Sequence, residues 1–230
     1  MSKRIQIIVT SHTTLGLSGK ATGVWADELA VAYNFFVDKG FEVGIASPAG
    51  GNVRFDPSSV TSTGGNGPEV ERFLADPLAQ RLAHETMPIA AVDVQACDAV
   101  YFPGGHGAMW DLPNDPDVMH VVETVFATNK VIAAVCHGSA GLVSARRPDG
   151  KSILWGKRVN GFTDEEESAA GLSDVVPFRL ETRMRELGGR FEKAPNWQAY
   201  AVQDGMLITG QNPRSSVLVA QKVVDALQAN

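Results

Sequence analysis

Two cysteines, Cys97 and Cys136, are all the sulfhydryls in 230 residues. A disulfide framework is excluded, and a chain of this length stabilises itself by burial without one. This usage fits a reducing compartment, and a cytoplasmic location is expected. Positive charge is also in short supply, with 20 Lys and Arg against 26 Asp and Glu and a net charge of −6. A protein that grips a phosphate backbone needs a basic face, so nucleic acid is not expected as a partner. No apolar run approaches the roughly 18 residues of a membrane span, and Ile5–Val9 is too short even for a signal-peptide core, so no membrane partner is expected. Neither Gly-x-Gly-x-x-Gly nor Gly-Lys-Ser/Thr occurs where it would cradle a nucleotide. Cys-x-x-Cys and His-Glu-x-x-His spacings are missing too, so neither a metal site nor a cofactor is expected.

What is present is a soluble globular composition, 44% hydrophobic and 20% charged. Ile5–Val9, Val43–Ala46, Ala99–Phe102 and Val131–Val135 are continuous apolar runs, the pattern of strands buried on both faces. Between them, Trp25–Phe36, Val118–Ala127 and Ser215–Leu227 carry helical periodicity. Alternating strands and helices predict an α/β fold with a mostly parallel sheet and right-handed crossovers. Gln203-Asp204-Gly205 between two apolar runs predicts an antiparallel hairpin near one edge. Gly64-Gly65-Asn66-Gly67-Pro68 reads as a loop, too short for an interdomain linker, and residues 1–230 are expected to form a single domain.

The chemistry gathers around Cys136. The strand Val131–Val135 runs into Cys136-His137-Gly138-Ser139-Ala140-Gly141, small residues that allow an abrupt strand-to-helix turn. Gly-x-Ser-x-Gly elbows use this geometry to hold a nucleophile clear of the sheet. A helix N-terminus under the sulfur is expected to lower its pKa; the plainer alternative is a small packed residue. His137 is a candidate proton carrier or an exposed turn residue. Pro103-Gly104-Gly105-His106-Gly107, at the end of another strand, either turns the chain or offers Gly104 and Gly105 N–H groups as an oxyanion hole, with His106 at the pocket. His12, just after the first strand, is expected to line the same pocket. Glu28 falls on the apolar stripe of the first helix, where a carboxyl is either a proton shuttle with a raised pKa or a helix-dipole partner. Asp164 to Glu167 reads as a solvated helix start, one of whose acids could orient His137.

Taken together, Thr22-Gly23-Val24-Trp25 with Glu28, Ser47-Pro48-Ala49-Gly50-Gly51, Asp56-Pro57-Ser58-Ser59, the Pro103–Gly107 and Ala134–Gly138 segments, Gly161-Phe162-Thr163 and Gly210-Gln211-Asn212-Pro213 resemble the ThiJ/PfpI superfamily of glutamine-amidotransferase-like proteins. Within it they are similar to the glutathione-independent glyoxalase III branch, also described as heat-shock chaperone-like. The resemblance implies a three-layer, flavodoxin-like sandwich with a nucleophile elbow. It implies catalysis by Cys136, His137, Glu28 and Glu167, the last lying five residues after Phe162. It also implies a homodimer and a small reactive dicarbonyl substrate, methylglyoxal converted to D-lactate through a Cys136 hemithioacetal. A cysteine hydrolase (peptidase, amidase or deglycase) and a redox-sensing chaperone without turnover are the alternatives. Ser139 departs from the branch, which has proline there.

Overall fold

The continuous apolar runs form the centre of one sheet in the computed structural model, which describes residues 2–60 and 66–229; Gly64 and Gly65 of the expected loop lie outside the described residues. The strands are β1 (Arg4–Ile8), β2 (Glu42–Ser47), β3 (Met87–Pro88), β4 (Ala99–Phe102), β5 (Val131–Val135), β6 (Arg158–Val159), β7 (Arg190–Phe191), β8 (Ala201–Asp204) and β9 (Leu207–Gly210). Seven of them form a sheet in the order β3-β2-β1-β4-β5-β9-β8, and β6 pairs with β7 separately. Every pairing in the large sheet is parallel except β8 with β9, the predicted hairpin at one edge. Pro88, which has no N–H for a ladder, sits in the two-residue strand at the opposite edge.

Helices α1 (Ala26–Asp38), α2 (Pro68–Ala75), α3 (Pro77–His84), α4 (Ala108–Asp111), α5 (Pro116–Ala127), α6 (Asp164–Ala169), α7 (Leu180–Glu186) and α8 (Ser216–Gln228) surround the sheet. Helix α1 packs against α2 and α8, and α8 lies on β5 and β9, whereas α5 lies on β4 and β5. All five residues of β5 and all four of β4 are buried. A strand covered on both faces needs apolar side chains on both, which is why these strands read as unbroken rather than alternating. The result is a mostly parallel, flavodoxin-like α/β sandwich. No helix among the described residues is long and apolar enough to cross a membrane. The strand order reverses between β1 and β4, and the carboxyl ends of strands at such a switch leave an open crevice.

Candidate active site

Cys136 occupies the end of β5 with a φ of +56°, a left-handed conformation that is strained for a side chain larger than glycine. A short 3-10 helix, Cys136–Leu142, follows at once. The turn is possible because Gly138 lies against β4: a Cβ there would stand 2.1 Å from the Phe102 carbonyl oxygen. Ser139 keeps this turn without proline. It is fully buried, and its hydroxyl donates to the Asn160 carbonyl at 3.4 Å.

His137 Nδ1 lies 3.4 Å from Cys136 Sγ, and its Nε2 lies 2.7 Å from Glu167 Oε2. The carboxylate therefore holds the proton on Nε2 and leaves the Nδ1 lone pair facing the thiol. Glu167 Oε1 takes a second hydrogen bond from His106 Nε2 at 2.9 Å, so two imidazoles share one carboxylate. Burial works against that charge, but the attraction and hydrogen bonds of His137 and His106 outweigh it and hold Glu167 well below the usual carboxylate range. Burial, followed by the neighbouring His106, lowers His137, so the imidazole rests neutral. The Phe162 ring packs against the His137 ring, with centroids 4.3 Å apart and planes tilted by 37°.

Glu28 enters from α1 and is fully buried. Its Oε2 accepts the Gly104 N–H, Oε1 has no hydrogen-bond partner among the described residues, and the carboxyl interacts with the Cys136 thiol. Burial pushes the Glu28 carboxyl up to about 8, so it is protonated near neutral pH. The sequence expectation of a depressed thiol pKa is overturned: burial and then the Glu28 carboxyl push Cys136 well above its ordinary value. The short 3-10 helix that starts at Cys136 does not offset full desolvation. The resting site is thus a neutral thiol, a neutral imidazole, a neutral Glu28 and an anionic Glu167.

Two further expectations change. Gly104 N–H is engaged by Glu28 and is not a free oxyanion donor, whereas Gly105, with φ +102°, lines the cavity. His12 does not line the Cys136 cavity. Its ring stacks on Trp110 at 5.2 Å and faces a neighbouring cleft, because Asp111 accepts the Ser11 and His12 N–H groups and turns that loop away. His106 does line the Cys136 cavity. Ligand atoms of His106, His137 and Glu167 lie within 4.8 Å of one another, close enough to hold a metal ion. The Nε2 atoms of both histidines and both oxygens of Glu167 are engaged in the two histidine–carboxylate hydrogen bonds. Cys97, by contrast, is a packed residue, buried with its Sγ directed at the Asp93 carbonyl.

Glu166 went unrecognised in the acidic run. It is fully buried, and its Oε2 accepts from the Thr163 N–H and hydroxyl while Oε1 accepts from Trp197 N–H, Gln211 Nε2 and Asn212 Nδ2. Thr163-x-x-Glu166 is a capping box, a signal legible in the sequence. This one carboxylate ties α6, and hence Glu167, to the cavity wall. Glu166→Ala is expected to cost about 3 kcal/mol or more by stranding several buried donors, measurable by urea denaturation.

An α/β sandwich with a strained cysteine at a strand end, backed by histidine and glutamate, defines a class of proteins, and comparison places the chain within it. The DJ-1/PfpI family model matches residues 20–226, and the chain belongs to that family. It is 30% identical over 222 residues to the glutathione-independent glyoxalase hsp3101 of Schizosaccharomyces pombe, covering 92% of this chain and 90% of that one. The crystal structure of glyoxalase III from Candida albicans superposes with a TM-score of 0.91 at 28% identity, covering 99% of this chain and 98% of that one. The Rapid Encystment Protein 24 kDa of Francisella tularensis superposes with a TM-score of 0.94 at 36% identity, over 98% and 99% of the two chains.

Proposed function

We propose that the protein is a glutathione-independent glyoxalase that converts methylglyoxal to D-lactate on Cys136, by a lyase-type isomerisation followed by hydrolysis. The observation that carries this reading is the thiol set between the His137 Nδ1 lone pair and a fully buried, protonated Glu28. The likeness to glutathione-independent glyoxalases over nearly the whole chain supports it.

Cys136 sulfur adds to the aldehyde carbon as its proton passes to His137, and the carbonyl oxygen is protonated in turn, giving a hemithioacetal. Gly105, which lines the cavity, would offer its N–H to the developing oxyanion. The proton on the former aldehyde carbon is then removed and one is returned to the adjacent carbon through an enediol. One carbon is oxidised and its neighbour reduced, so no external oxidant enters. The resulting thioester is cleaved by water, which regenerates the thiol and frees lactate. Glu167 keeps the His137 tautomer correct and stabilises the imidazolium when it forms.

A cysteine hydrolase would use the same Cys136, His137 and Glu167. Glu28 separates the two readings, because proton movement between adjacent carbons uses a second acid–base group at the sulfur and triad hydrolysis does not. Rapid-quench mass spectrometry of the protein with methylglyoxal tests the assignment. An adduct on the Cys136 peptide that disappears as lactate accumulates is expected, and adducts confined to Arg and Lys side chains would overturn it.

Glu28 also carries a cost in stability. Its folded pKa, about 8, lies above the value of an unfolded glutamate, so its favourable contribution is full below roughly pH 4.5 and is lost as pH rises through 8. In thermal melts, Glu28→Gln is therefore expected to gain on the wild type between pH 5 and 9. A constant gap across that range would contradict the buried neutral carboxyl.

A further inference from the structure

The cavity above Cys136 has a volume of about 650 Å³, within the range of sites that hold drug-sized ligands. Methylglyoxal is far smaller. Even at the roughly 30 Å³ that a water molecule occupies in the liquid, its few non-hydrogen atoms would fill about a quarter of that space. Three aromatic side chains line the cavity: Trp25, Phe162 and Trp197. Phe162 and Trp197 meet at 5.7 Å and 58°, and Trp197 keeps 40% of its surface uncovered.

Trp197 is also held in an unfavourable backbone conformation. Its φ is +64°, strained for so bulky a residue, and its N–H is fixed at 2.8 Å by the buried Glu166 carboxylate. Strain of this kind persists only where surrounding structure imposes it, and here it holds an indole at the cavity wall. The charged groups on the lining are Lys20 and Arg214 against Asp27 and Asp56, two of each sign. They give no net preference for an anion or a cation. A large, neutral, flat substituent is what the walls match.

We infer that the preferred substrates are neutral 2-oxoaldehydes bearing an aromatic substituent, which seats against Trp197 and Phe162 while the aldehyde meets Cys136. The inference rests on the dicarbonyl reading of the site and narrows its substrate class. The chemistry balances as for methylglyoxal: sulfur adds to the aldehyde carbon, the hydrogen on that carbon is replaced by one on its neighbour, and water cleaves the thioester. Phenylglyoxal would give mandelate, with no oxidant consumed. Apolar recognition of one ring sets the scale of the preference, and kcat/KM for phenylglyoxal is expected to exceed that for methylglyoxal about tenfold or more.

The test compares steady-state kinetics of wild type, Trp197→Ala, Trp197→Phe and Cys136→Ala on both aldehydes, with mandelate and lactate measured as products. The wild type is expected to favour phenylglyoxal. Trp197→Ala is expected to lose about tenfold more kcat/KM on phenylglyoxal than on methylglyoxal, largely through KM, with Trp197→Phe restoring most of the difference. Cys136→Ala is expected to form neither product. Lactate formation without preference for phenylglyoxal, or a preference that survives Trp197→Ala, would overturn the inference and leave the glyoxalase reading in place. Failure of the wild type on both aldehydes would overturn both.

Discussion

Cys136→Ala is expected to lower kcat/KM for methylglyoxal by about 10⁴-fold or more, the scale on which losing a covalent nucleophile acts. No other described group can take its place. Cys97, the second thiol, is buried beside Asp93, away from the cavity-lining residues. The side chain removed is small and 4% exposed, and alanine inherits the same strained backbone, so the melting temperature is expected to move by only a few degrees. Cys136→Ser is expected to be nearly as inactive, because a hydroxyl beside the same neutral imidazole ionises far less readily than a thiol. Steady-state lactate formation with parallel thermal melts separates loss of chemistry from loss of fold.

Glu28→Gln is expected to lower kcat by about 10²–10³-fold, the range of a positioned acid–base group. It is also expected to change the pH profile. Below pH 8 the wild-type carboxyl is protonated, so it carries no charge against the sulfur and has a proton to donate to it. Above pH 8 it ionises, loses that donor and sets an anion beside the developing thiolate. Wild-type kcat/KM should therefore fall as pH rises through about 8. The variant keeps an N–H donor and does not titrate, so this alkaline limb should vanish. A limb unchanged in Glu28→Gln would assign it to another group and remove Glu28 from the proton relay.

Much of the scaffold was legible because burial leaves a periodic imprint. The runs at Ala99–Phe102 and Val131–Val135 match β4 and β5, and Gln203-Asp204-Gly205 marked the edge hairpin. Helix ends shifted by one or two residues, as at Trp25, which caps α1 instead of opening it. The elbow was readable from small residues after an apolar strand, and Glu28 from a carboxyl on an apolar stripe. Several features were not readable, because they depend on distant segments meeting. Gly104 is engaged by a glutamate 76 residues away. The Cys136 thiol is raised by burial and by that same glutamate, neither of which local sequence displays. His12, in the loop after β1, is turned aside by Asp111 at the end of α4, about a hundred residues on. Within the acidic run, the resemblance singled out Glu167, whose partner is His137, but nothing local to the run showed that Glu166 reaches Trp197 across the cavity wall.

The most direct measurement is lactate, resolved by enantiomer, formed from methylglyoxal by the purified protein in buffer free of glutathione. D-lactate is expected to accumulate in step with methylglyoxal consumed, and to be absent with Cys136→Ala. Consumption of methylglyoxal without lactate, or lactate formed equally by Cys136→Ala, would contradict isomerisation on the Cys136 sulfur.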